Sequence, residues 1–101
     1  MNICIITLNP GIDRILYLNS PTAIGSLNRA DHSIVSQGSK GANLSILLKT
    51  LGGDPHHFTF SGGAFGELYE SFCRESGVKN HIFETAAGVR MNTKVIDNKG
   101  N

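Results

Sequence analysis

An unbroken β-favouring apolar run, Ile3 to Leu8 (ICIITL), closed by Asn9-Pro10-Gly11, constrains this chain more than any other feature. A run of that length and composition predicts a strand covered on both faces, the usual state of strands in parallel sheets. The remaining segments fit such a sheet. Ile12 to Leu18 is a second strand, and Arg29 to Gln37 a third, more polar and so exposed on one face. From Gly41 to Leu51 the spacing turns helical. Leu44, Leu47, Leu48 and Leu51 recur on one side, Asn43, Ser45, Lys49 and Thr50 face elsewhere, and Gly52-Gly53 ends the helix. HHFTFSG (residues 56–62) reads as a strand. Phe65, Leu68, Tyr69, Phe72 and Cys73 repeat the helical stripe up to Gly77, NHIFET (residues 80–85) is a short strand, and Val89 to Ile96 is the last. The fold class expected is α/β with an inserted sheet.

Composition narrows the function classes. With 101 residues, 40% apolar and 17% charged, the chain has the make-up of a small soluble domain and not of a disordered one. A net charge of +1 argues against nucleic acid and membrane partners. Cys4 and Cys73 form no CxxC motif and lie in apolar surroundings, so both are expected as buried free thiols in a reducing cytoplasm. The ICIITL run lacks a basic leader and is too short for a signal or a membrane span, which again points to a cytoplasmic protein. The closing DNKGN is a hairpin-turn signal with no returning strand, so the last strand is expected to lack a partner and the chain to be a fragment of a longer protein.

Three stretches can carry chemistry. In QGSKGAN (residues 37–43) neither the Walker A pattern nor GxGxxG is satisfied. What remains is Gly38, Ser39, Lys40 and Gly41 at a helix start, where free N–H groups favour an anion and Lys40 adds a cation. The competing reading makes Ser39 an N-cap and Lys40 a solvated side chain. In LNPGIDR, Asp13 follows a turn at the end of a strand, where open α/β sheets place ligands; it can accept hydrogen bonds from sugar hydroxyls, or simply pair with Arg14 or solvent. In GVRMNTKVI, strand alternation puts Arg90, Asn92 and Lys94 on one face, a fork for phosphate or a solvated edge. SGGAFGE (residues 61–67) is explained by a tightly packed turn, and His56-His57 lacks companions at metal spacing.

Taken in order, TLNPGIDR, LNRAD, GSKGANLSILLKTLG, FSGGAFGE and VRMNTKVID resemble the N-terminal part of the phosphofructokinase-B branch of the ribokinase-like sugar kinases, the branch of 1-phosphofructokinases and tagatose-6-phosphate kinases. The resemblance spans essentially the whole chain. It implies a ribokinase-like three-layer α/β/α domain, residues 1–101 forming its N-terminal portion, with a small β-sheet lid within about residues 12–36 and 88–101. It implies ATP-dependent phosphorylation of a phosphorylated ketohexose, fructose 1-phosphate or tagatose 6-phosphate, with ATP and Mg²⁺ held in a C-terminal part.

By the same resemblance, Asp13 corresponds to the aspartate that binds sugar hydroxyls. Gly38, Ser39, Lys40, Gly41 and Asn43 correspond to the substrate loop, and Arg90 and Asn92 to the strand whose arginine approaches the substrate phosphate. Ser39, Val89 and Gly11 depart from the family's glycine, threonine and alanine. The family's catalytic base sits in a Gly-Ala-Gly-Asp-like motif that is absent here, so this chain is expected to hold a substrate half-site and to be inactive alone. A non-catalytic sugar-phosphate-binding or pairing module is the alternative. Lid-mediated dimers occur among relatives, which leaves a homodimer through the lid open.

Overall fold

In the computed structural model, which describes residues 2–99, the chain runs β1 (Asn2–Thr7), β2 (Gly11–Leu18), β3 (Ala30–Gln37), α1 (Lys40–Thr50), β4 (Asp54–Ser61), α2 (Gly66–Glu75), β5 (Lys79–Glu84) and β6 (Arg90–Ile96). Each expected element is present in the expected order. One sheet, β1-β4-β5, is parallel throughout; the other, β3-β2-β6, pairs β2 antiparallel to β3 and parallel to β6. The last strand therefore has a partner, contrary to expectation. It lies along β2 from the Gly11–Arg90 pair to the Tyr17–Ile96 pair. A hairpin signal speaks only for the residues next along the chain, whereas this partner comes from far earlier in it. Of the expected terminal turn, Asp97 accepts a hydrogen bond from the Lys99 N–H at 2.9 Å, and Gly100 and Asn101 lie outside the described residues.

Both helices pack on one face of the parallel sheet. α1 ends as the glycine pair predicts: the Gly53 N–H donates to Leu48 O and the Gly52 N–H to Lys49 O, with Gly52 at φ +91°. This is a Schellman closure, which glycine enters without a Cβ penalty. The buried side of α1, however, is Ala42 and Ser45, while Leu44, Leu47 and Leu51 are exposed. Small residues let the helix axis approach the strands closely, and the leucine stripe is turned away from them. On α2 the buried residues are Gly66, Tyr69 and Cys73; Phe65 and Leu68 lie partly outside. Tyr69 and Cys73 join Ile12 and Val89, with Met91 against them, in the cluster that seats the second sheet on α2.

The opposite face of the parallel sheet carries Cys4, Ile6, Leu8, Phe58, Phe60 and Phe83, which line an apolar groove of about 350 Å³. β1 is thus covered on one face only, and Cys4 is exposed while Cys73 is buried. The sequence pattern anticipated a cover that no described residue supplies. Conversely, the helix-facing positions of β4 are polar: His57, Thr59 and Ser61 are each about 1% exposed, and each is hydrogen-bonded.

Surface and shape agree with an open face. The accessible surface is 6595 Å², against about 5,500 Å² for a closed monomer of this mass. The radius of gyration is 16.2 Å, where a compact domain of this length has about 13 Å. Among the described residues no helix is long and apolar enough to cross a membrane.

Candidate functional site

The turn from β1 into β2, the β3–α1 junction and the start of β6 converge because β2 is gripped at its first residues from both sides. The Gly38 N–H donates to Gly11 O at 2.8 Å, and the Arg90 N–H to Pro10 O at 3.3 Å. Register then fixes the side chains. Asp13 lies opposite Asn92 on one flank and Ser36 on the other, so alternation turns Asp13, Arg90 and Asn92 to the same face. Arg90 Nη1 donates to Asn92 Oδ1 at 2.8 Å, and Asn92 Nδ2 donates to Asp13 Oδ1 at 3.1 Å. The amide thus links a cation to a carboxylate that form no ion pair with each other.

Two glycines are required here by contact. A Cβ on Gly38 would stand 2.4 Å from Asp13 Oδ1, and one on Gly41 would stand 2.1 Å from Thr7 Oγ1. The Asp13 carboxylate therefore rests directly over the backbone of Gly38. Gly11 plays a softer part, since an added Cβ would meet the Arg90 side chain at 3.2 Å.

Thr7, Asn9, Gly38, Lys40, Gly41 and Arg90 line one open cleft of about 450 Å³. Lys40 is exposed at the first position of α1 and has no ion-pair partner among the described residues. Two cations and the free N–H groups of a helix start thus border one opening, with a carboxylate beside it. That arrangement can hold a phosphate at the cationic end and orient hydroxyl groups at the carboxylate.

Of the expected site residues, Asp13, Ser39, Asn43 and Asn92 do not line the cleft; Asp13 and Asn92 lie beside it through Arg90 and Gly38, whereas Ser39 and Asn43 are engaged elsewhere. Ser39 occupies the N-cap position but makes no capping bond with its side chain. It is buried, its Oγ lying 3.1 Å from Gln37 Oε1 and 3.4 Å from Tyr69 Oη. Gln37 does the bracing instead: its Oε1 also accepts the Ser39 N–H at 2.9 Å, and its Nε2 donates to Asn43 Oδ1. Sequence reasoning missed Gln37. Its one signal was an amide as the last strand residue before the loop. Thr7 was missed as well, being hidden in an apolar run.

Asp31, Asp54 and Asp97 do not line the cleft. Asp97 accepts from the Thr22 N–H and hydroxyl, Asp54 pairs with Lys79 at 3.2 Å, and Asp31 lies beside His32. Among the described residues no group of three His, Cys, Asp or Glu side chains could hold a metal ion. The SGGAFGE turn is close-packed, as expected, since a Cβ on Gly62 would meet Thr85 O at 2.1 Å.

Comparison with known proteins gives this geometry a family setting. No protein-family model matches the chain. The chain is 35% identical over 95 residues to 1-phosphofructokinase of Bacillus subtilis, covering 89% of the chain and 29% of that enzyme. It is 30% identical over 85 residues to tagatose-6-phosphate kinase of Staphylococcus epidermidis, covering 84% of the chain and 27% of the relative. The Escherichia coli phosphofructokinase-2 structure in complex with fructose 6-phosphate superposes with a TM-score of 0.87 at 24% identity, over 99% of this chain and 33% of that one. The chain thus spans about 30% of the length of the relatives it matches. Its fold is that of the ribokinase-like carbohydrate kinases, matching an N-terminal portion.

Proposed function

We propose that the cleft between the end of β1, the start of β6 and the start of α1, with Asp13 beside it, is the sugar-phosphate half of a phosphofructokinase-B type kinase site, and that the whole activity is ATP-dependent phosphorylation of a phosphorylated ketohexose. The observation that carries this is the relay Arg90–Asn92–Asp13 laid over Gly38, with Lys40 lining the same cleft as Arg90 and making no ion pair among the described residues. Arg90 and Lys40 neutralise the phosphate, Arg90 through its planar fork. Asp13 offers its remaining lone pairs to ketose hydroxyls, and Asn92 holds the carboxylate toward them. Gly38 and Gly41 allow backbone to approach the sugar. Fructose 1-phosphate is the favoured substrate, since the 1-phosphofructokinase match is the higher in identity.

Phosphoryl transfer also needs a base for the attacking hydroxyl and neutralisation of the transferred group. Asp31, Asp54 and Asp97 do not line the cleft, and the chain spans 29% of its 1-phosphofructokinase relative, so we assign base, ATP and Mg²⁺ to the portion of such a kinase outside this chain. The second sheet serves as the lid over the sugar. Exposed Ile34, Val35 and Val95 on its two faces support pairing of two copies there.

Calorimetric titration tests the reading. Fructose 1-phosphate is expected to bind the chain, and Lys40→Ala or Arg90→Ala to weaken it by about tenfold each, or 1.4 kcal/mol. Affinity unchanged from wild type in both variants would overturn the phosphate assignment. The chain alone is expected to show no ATP-dependent turnover of fructose 1-phosphate, and measurable turnover would place the base within it.

A further inference from the structure

One buried polar chain is not used by the site as described. Thr7 Oγ1 lies 2.6 Å from His57 Nε2, and His57 Nδ1 lies 2.8 Å from Asn80 Oδ1. Asn80 Nδ2 donates to Cys73 O at 2.8 Å and to Val78 O at 2.9 Å. Because the Asn80 amide nitrogen serves two carbonyls, its oxygen is the acceptor, so His57 carries its proton on Nδ1. The lone pair on Nε2 then accepts the Thr7 hydroxyl proton. A threonine hydroxyl is ordinarily a free rotor; this one is held.

At the cleft end of this chain sits Gly41. An added Cβ there would lie 2.1 Å from the Thr7 hydroxyl oxygen, so the first turn of α1 rests on that oxygen. Thr7 lines the cleft while His57, 1% exposed, does not.

We propose that His57 is a positioning residue for the sugar-phosphate site: it orients the Thr7 hydroxyl, which sets how closely Lys40 and Gly41 are seated against β1. This rests on the sugar-phosphate reading of the cleft. A histidine that served only to fill the interior would affect stability alone.

The test uses the 101-residue chain with three readouts: fructose 1-phosphate affinity by calorimetry, the amide resonances of Lys40 and Gly41 by NMR, and urea stability. His57→Leu and Thr7→Val are each expected to shift the two resonances and to weaken binding by about fivefold or more, and the double variant to be no worse than either single one. His57→Gln, whose Oε1 can accept the Thr7 proton, is expected to return affinity to within about twofold of wild type. Lost stability with unchanged resonances and affinity in His57→Leu would overturn the proposal. Should His57→Leu fail to fold, Thr7→Val decides alone, with unshifted resonances and full affinity counting against it. If the wild-type chain binds no fructose 1-phosphate, the reading of the cleft fails. The resonances then still report whether His57 seats Gly41.

Discussion

At the scale of single residues, Gly38 and Gly11 differ in what they tolerate. Gly38→Ala would put a Cβ 2.4 Å from Asp13 Oδ1, the atom that accepts from Asn92, so the relay must break or the backbone move. Its sugar-phosphate affinity is expected to fall by about tenfold or more, or at least 1.4 kcal/mol by calorimetry. Gly11→Ala meets only the flexible Arg90 side chain at 3.2 Å and should weaken binding less. The thiols separate just as cleanly. Cys4 is exposed, whereas Cys73 is buried and burial pushes its thiol above the ordinary range. A thiol reagent such as DTNB is expected to label one cysteine quickly in the native chain and the second only on unfolding.

His57 makes the corresponding prediction for stability against pH. Burial holds its imidazole below the usual value of 6.5, so in acid the unfolded chain takes up this proton more readily than the folded one. The stabilisation is present above pH 6.5 and is lost as pH falls through the lowered value of the folded state. The difference in urea stability between wild type and His57→Gln should therefore shrink on acidification through that window.

At the scale of elements, α1 reverses what its sequence suggests. The helix and its glycine stop were legible, because spacing and Schellman chemistry are local. Its buried side was not, because a leucine stripe signals burial without saying by what. Ser45→Leu, at 1% exposure facing the sheet, is expected to overpack the interface and lower urea stability by about 1–3 kcal/mol. Leu47→Ser, at 54% exposure, is expected to change the isolated chain by less than about 0.5 kcal/mol. Similar losses from both would show that the leucine stripe is buried in solution. The SGGAFGE turn, by contrast, was fully readable, since three glycines in a strand–helix connection announce close approach of backbone.

At the scale of the molecule, the parallel sheet shows its aromatic face to solvent, and the surface exceeds that of a closed monomer of this mass. Exposed apolar area of this kind favours association and dye binding. The isolated chain is expected to bind the dye ANS and to self-associate in sedimentation runs. Phe58→Ser combined with Phe83→Ser should reduce both, and no dye binding by wild type would show the groove to be closed in solution.

Element order, the helix stops and the succession of Asp13, Lys40 and Arg90 were determined by the sequence alone, because propensity, spacing and motif order are carried by neighbouring residues. The seating of Asp13 over Gly38, the partner of β6 and the packing of Ser39 against Tyr69 were decided only by tertiary structure. These depend on strand register between segments as much as 79 residues apart. No local pattern encodes that register, and a single-residue slip would turn Asp13 away from the cleft.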